Sequence, residues 1–330
     1  MTIAIPQDRP LIAIYFCGGT GFNNGARFLE ATKDNQILKE TTQTYFVDAS
    51  TSNHRPFNTD ENTMVVGSGQ GSGAHRAENA EDIRNEVPQI LKNFKPGVFN
   101  ILVGSASGGS GSVIINELQR ALVMRDINVA AVMSGSRSTR TNIENMNKLF
   151  QSFGLVTKKY QKPSLINLRV QEHGETREKV DAMILNNLLL LTLFLSGRDD
   201  KLDITDLTHL FNYPKVTGFA PAVASLDLFI NELKLDKNET LYAVGTIARP
   251  GTVTDITPVP QYQPVGFIHE DLSGIFDEIS VLHWAITGNS FDRLVKELET
   301  AVAGFKEEST AHRASTLLET VPDTDDDIVV

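Results

Sequence analysis

The sequence predicts an α/β protein built on a mostly parallel, doubly wound sheet. Apolar runs alternate with helical patterns through the first half of the chain, in the order strand, helix, strand, helix. The first of these runs, residues 11–17, is almost continuously apolar, as a strand covered on both faces must be. Glycine clusters follow three of the strands, and in such a sheet the carboxyl ends of the strands share one ligand-binding edge.

Residues 11–17 run straight into Gly18-Gly19-Thr20-Gly21, followed by Phe22-Asn23-Asn24-Gly25 and a helical segment through about Thr32. Residues 44–47 read as the second strand, ending in Asp48. Gly19, Gly21 and Gly25 approximate a dinucleotide fingerprint whose third glycine comes one residue late, and Asp48 lies roughly where a ribose carboxylate would sit. On this part of the chain alone an NAD-type site stays open.

Residues 52–79 are polar and hold a second glycine cluster, 67–73, after a short strand at 64–66. It reads either as an unstructured excursion or as a second phosphate-embracing loop to which Arg76 adds charge. Ile83, Val87, Ile90 and Leu91 then recur at helical spacing, with Phe94 continuing the face. A strand at 98–103 leads into Ser107-Gly108-Gly109-Ser110-Gly111-Ser112 and a helix to about Met124.

Strand, glycine turn, helix is a layout that aims backbone N–H groups and a positive helix end at an anion. The turn has no lysine, so it is not the G-x-x-x-x-G-K-[ST] phosphate loop; taken singly it could also be a flexible surface connection. A further strand at 127–133, a polar loop at 134–140, a helix carrying Ile143, Met146, Leu149 and Phe150, and a strand at 164–170 complete the repetition.

Residues 175–196 form one long helical candidate, apolar all round in its second half, which belongs in the middle of a protein. Beyond Gly197, Asp203 and Asp206 stand three apart and so share the first turn and one face of any helix that begins there. They suit an acidic site, and they equally suit an N-terminal cap favoured by the helix dipole. The remainder is a smaller α+β region: a strand at 240–248, a Pro/Thr-rich loop at 249–263, a strand at 264–268, and helices around 271–287 and 290–319. Pro322 stops the last helix, and Asp323, Asp325, Asp326 and Asp327 with the apolar tip Ile328-Val329-Val330 form an extended acidic tail. The expected divisions are 1–174, 175–196, 197–288, 289–320 and 321–330.

At 330 residues the chain is long enough for two domains or one large one, and its 41% hydrophobic content supports a real core. With 30 basic against 41 acidic residues the net charge is −11, which argues against a sequence-independent nucleic-acid binder. Cys17 is the sole cysteine, so an intrachain disulfide and a multi-cysteine zinc site are excluded. No single apolar run reaches the roughly eighteen residues of a membrane span, and residues 1–10 lack a signal-peptide pattern. A soluble protein of a reducing compartment, with no membrane contact, is expected.

These motifs together resemble the tubulin/FtsZ superfamily, and within it the phage-encoded tubulins of nucleus-forming bacteriophages (the PhuZ type). Residues 107–113 match the superfamily's glycine-rich signature, Gly18, Gly19, Thr20 and Gly21 with Asn23 its first loop, and Gly71, Ser72 and Gly73 the loop facing the terminal phosphate. The pattern N-x-D-x-x-D after the central helix is matched by 201–206, with Lys201 in place of asparagine. The acidic tail ending in Val329 and Val330 matches the phage group. Ser107, Ser112 and Val113 depart from the usual signature, and Arg137 occupies the place of a ribose-contacting glutamate.

The resemblance implies a GTPase domain with a Rossmann-like parallel sheet, a long central helix and a smaller C-terminal domain. It implies GTP and GDP as ligands, with Mg²⁺, held by Gly18–Gly21, Asn23, Gly71–Gly73 and Ser107–Ser112, with Asn167 and Asp181 as candidates for reading guanine. It implies Asp203 and Asp206 as catalytic groups that act on the neighbour's nucleotide in a head-to-tail filament. The aspartates and apolar tip of the tail suit docking on a basic patch and an apolar groove of the adjacent subunit, with a solvated tail as the alternative. The expected setting is the cytoplasm of an infected bacterial host, where filaments position the phage DNA compartment or capsids without touching nucleic acid directly. A plasmid-segregating tubulin and an NAD-dependent enzyme using Gly18–Gly25 and Asp48 are the alternatives.

Overall fold

The computed structural model describes residues 9–73, 75–197, 201–254, 256, 259–269 and 278–314, with side chains through residue 305. The expected tail at 321–330 lies outside these residues. In chain order the elements are β1 (Ile12–Cys17), α1 (Gly18–Thr32), α2 (Gln36–Thr41), β2 (Thr42–Asp48), β3 (Thr63–Val65), α3 (Ala80–Asn93), β4 (Phe99–Ser105), α4 (Ser110–Met124), β5 (Asn128–Gly135), α5 (Arg140–Tyr160) and β6 (Ser164–Val170). They continue with α6 (Arg177–Ser196), α7 (Ile204–Phe211), α8 (Pro214–Thr217), β7 (Val223–Ile230), β8 (Leu241–Ala248), β9 (Val265–Phe267), β10 (Val281–Thr287) and α9 (Ser290–Ala314).

The strands lie in one sheet in the order β3-β2-β1-β4-β5-β6-β7-β10-β8-β9. From β3 to β7 every neighbouring pair is parallel, so the expected α/β fold class and its doubly wound half are present. β10 runs antiparallel to both β7 and β8, which gives the C-terminal part its mixed α+β character. The alternation along β1 shows how the sheet is covered. Ile12, Ile14 and Phe16 join a core with α1, α6 and α7, while Ala13, Tyr15 and Cys17 join one with α3, α4, α5 and α9.

The central helix α6 presents Leu188, Leu190, Leu191, Leu193, Phe194 and Leu195 to the interior, all buried. At about 1.5–3 kcal/mol per large apolar side chain, this stretch contributes on the order of 10 kcal/mol before chain entropy is subtracted. By length and hydropathy α6 passes the test for a membrane span, which single apolar runs in the sequence do not. Its packing on β1, β5, β6 and β10 accounts for that composition as core.

The structure corrects the sequence reading at three places. Residues 281–287, expected as helix, are the strand β10; all seven are buried, His283 and Thr287 included, and a short stretch covered on both faces has no period that separates strand from helix. β7 was not anticipated, although Ala224, Leu226 and Leu228 recur every second residue towards the core. The first glycine cluster is not a turn before a helix: α1 begins at Gly18 itself, directly after β1.

Candidate functional site

In a doubly wound sheet the crevice opens where the strand order reverses, here between β1 and β4. The register pairs Cys17 with Gly104, so the starts of α1 and α4 emerge side by side. Their approach requires glycine on both sides. Gly18 has φ +69°, and a Cβ there would stand 2.8 Å from Gly111 Cα; a Cβ on Gly111 would stand 2.9 Å from the Cys17 carbonyl oxygen. Two helix N-termini therefore open into one space.

That space is a cavity of about 220 Å³ lined by Gly18, Gly19, Thr20, Gly71, Ser72, Gly73 and residues 108–111, with Cys17, Asp48, Ser50, Asn53 and Ser105 completing it. The loop after β3 is tied to α4. Ser110 N donates to Ser72 Oγ at 3.0 Å, and Arg76 Nη1 donates to Ser112 Oγ at 2.6 Å. Ser112 Oγ in turn donates to the carbonyls of Gly108 and Gly109 at 2.5 and 2.9 Å, which shapes the turn. Burial pushes the Arg76 guanidinium down to about 10, against a counteracting pull from Glu117, so it remains a cation at neutral pH.

Asp48 is buried at the cavity wall, accepting from Asn53 Nδ2 at 2.6 Å and Ala49 N at 2.7 Å. Burial raises its carboxyl above the ordinary value, and these hydrogen bonds oppose the rise. Asp48 is the single carboxylate among the lining residues of this cavity, and the hydroxyls of Thr20, Ser50 and Ser72, which line it too, are hard oxygen donors. Such a donor set fits Mg²⁺, which binds through one or two carboxylates together with phosphate oxygens. No group of three or more His, Cys, Asp or Glu able to hold a metal occurs among the described residues.

A second cavity, of about 320 Å³, adjoins the first and shares Thr20, Ser105 and Gly108 with it. Its walls are Ser134, Gly135, Ser136, Ser138, Asn142 and Gln171 on one side and Arg177, Val180 and Asp181 of α6 on the other. Asp181 is 5% exposed, and Arg177, one helical turn before it, donates to Thr20 Oγ1 at 3.0 Å across the mouth. A polar cavity ending in a buried carboxylate suits a nucleoside with N–H donors on its base.

Most of the expected ligand residues converge here, with four exceptions. Gly21 packs under the first turn of α1 against the Phe16 and Val103 backbone, and Asn23 lines neither cavity. Ser112 supports the turn through Arg76 without lining the space. Asn167 is structural: its Nδ2 donates to Leu226 O at 2.8 Å and its Oδ1 accepts from Asn187, so it joins β6 to β7 and α6. Arg137 likewise pairs with Glu297 on α9 at 2.9 Å, leaving the hydroxyls of Ser136 and Ser138 to line the wall. Ser134, Asn142, Gln171 and Arg177 were missed, although the polar loop at 134–140 was recognised as following a strand.

Asp203 and Asp206 line neither cavity. The 20 residues of α6 span ~30 Å, and the pair follows its far end. They form a capping box at the start of α7: Asp206 N donates to Asp203 Oδ1 at 2.9 Å, and Asp203 N donates to Asp206 Oδ2 at 3.3 Å. The capping alternative is therefore realised in the single subunit, and it holds both carboxylates at the protein surface.

An open β-α sheet with two glycine-lined helix ends at its switch point, a long core helix and an acidic pair beyond it defines the tubulin/FtsZ fold. The solved protofilament of TubZ from bacteriophage PhiKZ superposes with a TM-score of 0.80 at 23% identity, covering 97% of this chain and 96% of that one. The phage tubulin PhuZ bound to GDP also gives 0.80, at 17% identity and with the same coverage. In sequence the chain is similar to the phage tubulin-like protein of Pseudomonas phage phiKZ, 28% identical over 214 residues, and to that of phage 201phi2-1, 22% identical over 292 residues. The first alignment spans 61% of this chain and 63% of that relative; the second spans 87% and 88%. No family model matches.

Proposed function

We propose that this chain is a GTP-hydrolysing protein that polymerises head to tail and completes each active site from two subunits. The observation that carries this is the separation of parts. The cradle of helix ends, where phosphates would bind, adjoins the cavity that the start of α6 lines, with Arg177 donating to Thr20 Oγ1, and the surface pair Asp203 and Asp206 lies past the other end of α6. Stacking subunits end to end brings the acids of one over the cradle of the next, and a contact that does not close on itself generates a filament. The similarity to solved filament-forming phage tubulins supports the same reading.

Residues 18–20 and 108–111 would hold the phosphates by backbone N–H groups and the two helix ends. Asp181 would accept from the N1–H and N2 amino group of guanine, donors that adenine does not present on that edge. Mg²⁺ held by Asp48 and the phosphates would neutralise charge on the terminal groups. Asp206, with Asp203, would orient and polarise water at the neighbour's terminal phosphate. The setting proposed is the cytoplasm of an infected bacterium, with filaments positioning the phage DNA compartment. Residues 321–330 are proposed to dock on the next subunit, several ion pairs and an apolar tip adding up where a single exposed pair contributes only ~0–1 kcal/mol.

Asp206→Ala tests the proposal, because it leaves the N-cap residue Asp203 in place. The variant should bind GTP, assemble, and hydrolyse roughly 100-fold slower or more, giving over-stable filaments. Turnover at the wild-type rate would sink the shared-site idea.

A further inference from the structure

We infer that Tyr262 is a positioning residue for hydrolysis, holding the Asp206 carboxylate in the geometry in which it meets the neighbouring nucleotide; this rests on the shared-site reading above. Tyr262 Oη donates to Asp206 Oδ1 at 2.7 Å, the oxygen that the capping box leaves open. Asp206 Oδ2 already accepts from Asp203 N, so the tyrosine fixes the remaining rotation of the carboxylate. A carboxylate bonded through both oxygens cannot swing into solvent without losing a charge-assisted hydrogen bond.

The tyrosine is itself anchored from the sheet. Residue 262 bridges to Ala243 of β8, and Val244 N donates to the Tyr262 carbonyl at 2.9 Å. Its ring meets the His209 ring edge-on, at 5.9 Å and 79°, one helical turn beyond Asp206 on α7. Burial, then the hydrogen bond to Asp206, raises the phenol well above its ordinary value, so it stays a donor throughout the working pH range. The opposite end of the acidic loop is held from the same side, with Lys201 Nζ 4.3 Å from the centre of the Phe267 ring. Residues 262–267 thus clamp 201–206 at both ends, so the acids sit on a surface fixed by β8 and β9 and not on a free loop. Groups held this way need no reordering when a neighbour arrives.

The test compares Tyr262→Phe, Asp206→Ala and the double variant. Hydrolysis is measured per polymerised subunit, and the assembly threshold with a non-hydrolysable GTP analogue. Phenylalanine keeps the ring on His209 and removes the hydroxyl, which donates to Asp206 and also lies 3.4 Å from His209 Nδ1. The expected result is a roughly ten- to hundredfold slower turnover for Tyr262→Phe at an unchanged threshold, with no further loss when it is added to Asp206→Ala. Wild-type turnover in Tyr262→Phe beside a slow Asp206→Ala would overturn this inference alone. So would a raised threshold with an additive loss in the double variant, the mark of a merely structural role. Wild-type turnover in Asp206→Ala would instead overturn the shared site.

Discussion

Replacing Gly18 by alanine tests the cradle at its tightest point. The residue sits at φ +69°, where an L side chain costs ~1–2 kcal/mol. Its new Cβ would also stand 2.8 Å from Gly111 Cα and 3.1 Å from Gly111 N, both main-chain atoms in the first turn of α4 that no rotamer change can move aside. Overpacking of this kind costs a further ~1–3 kcal/mol. The total, roughly 2–5 kcal/mol, is survivable against a typical stability of ~5–15 kcal/mol, so a folded variant is expected. Relief of the clash separates the starts of α1 and α4 by a few tenths of an ångström, and those are the two helix ends proposed to converge on phosphate. Gly218→Ala is the matched control, with φ +73° and nothing within 4 Å of its Cβ, so it carries the backbone cost without the clash. Urea unfolding and titration with a fluorescent GTP analogue measure both effects. Gly18→Ala should lose more stability than Gly218→Ala and at least tenfold in nucleotide affinity, while Gly218→Ala binds as the wild type does. Equal behaviour of the two variants would refute the account of the cradle.

Three further outcomes are expected. Asp181→Ala should lower affinity for GTP roughly 10–100-fold while leaving any weak ATP binding unchanged, read by competition binding, because in the proposed reading this cavity-lining carboxylate would be what distinguishes the purines. Asp227, partly buried on β7, has its carboxyl raised from 3.8 to about 6 by burial and then by Glu239, so the folded state holds a proton that the unfolded chain has released. Stability from this group is full below pH ~4 and falls as pH rises to about 6, by ~3 kcal/mol; Asp227→Asn should flatten that part of a urea-midpoint profile. Removing residues 320–330 should raise the critical concentration for assembly in light scattering, and an unchanged threshold would end the tail proposal.

What was legible in the sequence was what is local. The glycines at 18, 19, 71, 73, 108, 109 and 111 could be placed because each cluster directly follows a strand and the strands are parallel, so topology alone gathers them at one edge. The three-residue spacing of Asp203 and Asp206 made their shared helix start legible, and the structure shows it as a capping box; a role in hydrolysis came only from the resemblance. Asn167 misled because its partner is the carbonyl of Leu226, on a strand that had not been identified. β10 misled because burial on both faces erases the period that marks a strand. Tyr262 was invisible for the same physical reason as Arg177 and Ser134: it acts on a residue 56 positions away, and only the folded sheet brings the two together.

The most direct measurement is GTP turnover against subunit concentration, followed in the same samples by light scattering. An active site shared between neighbours predicts no turnover until scattering appears, and from there a rate that rises in proportion to polymer. Turnover that rises linearly from the lowest concentration, with no break where filaments form, would show a site complete within one subunit and contradict the account.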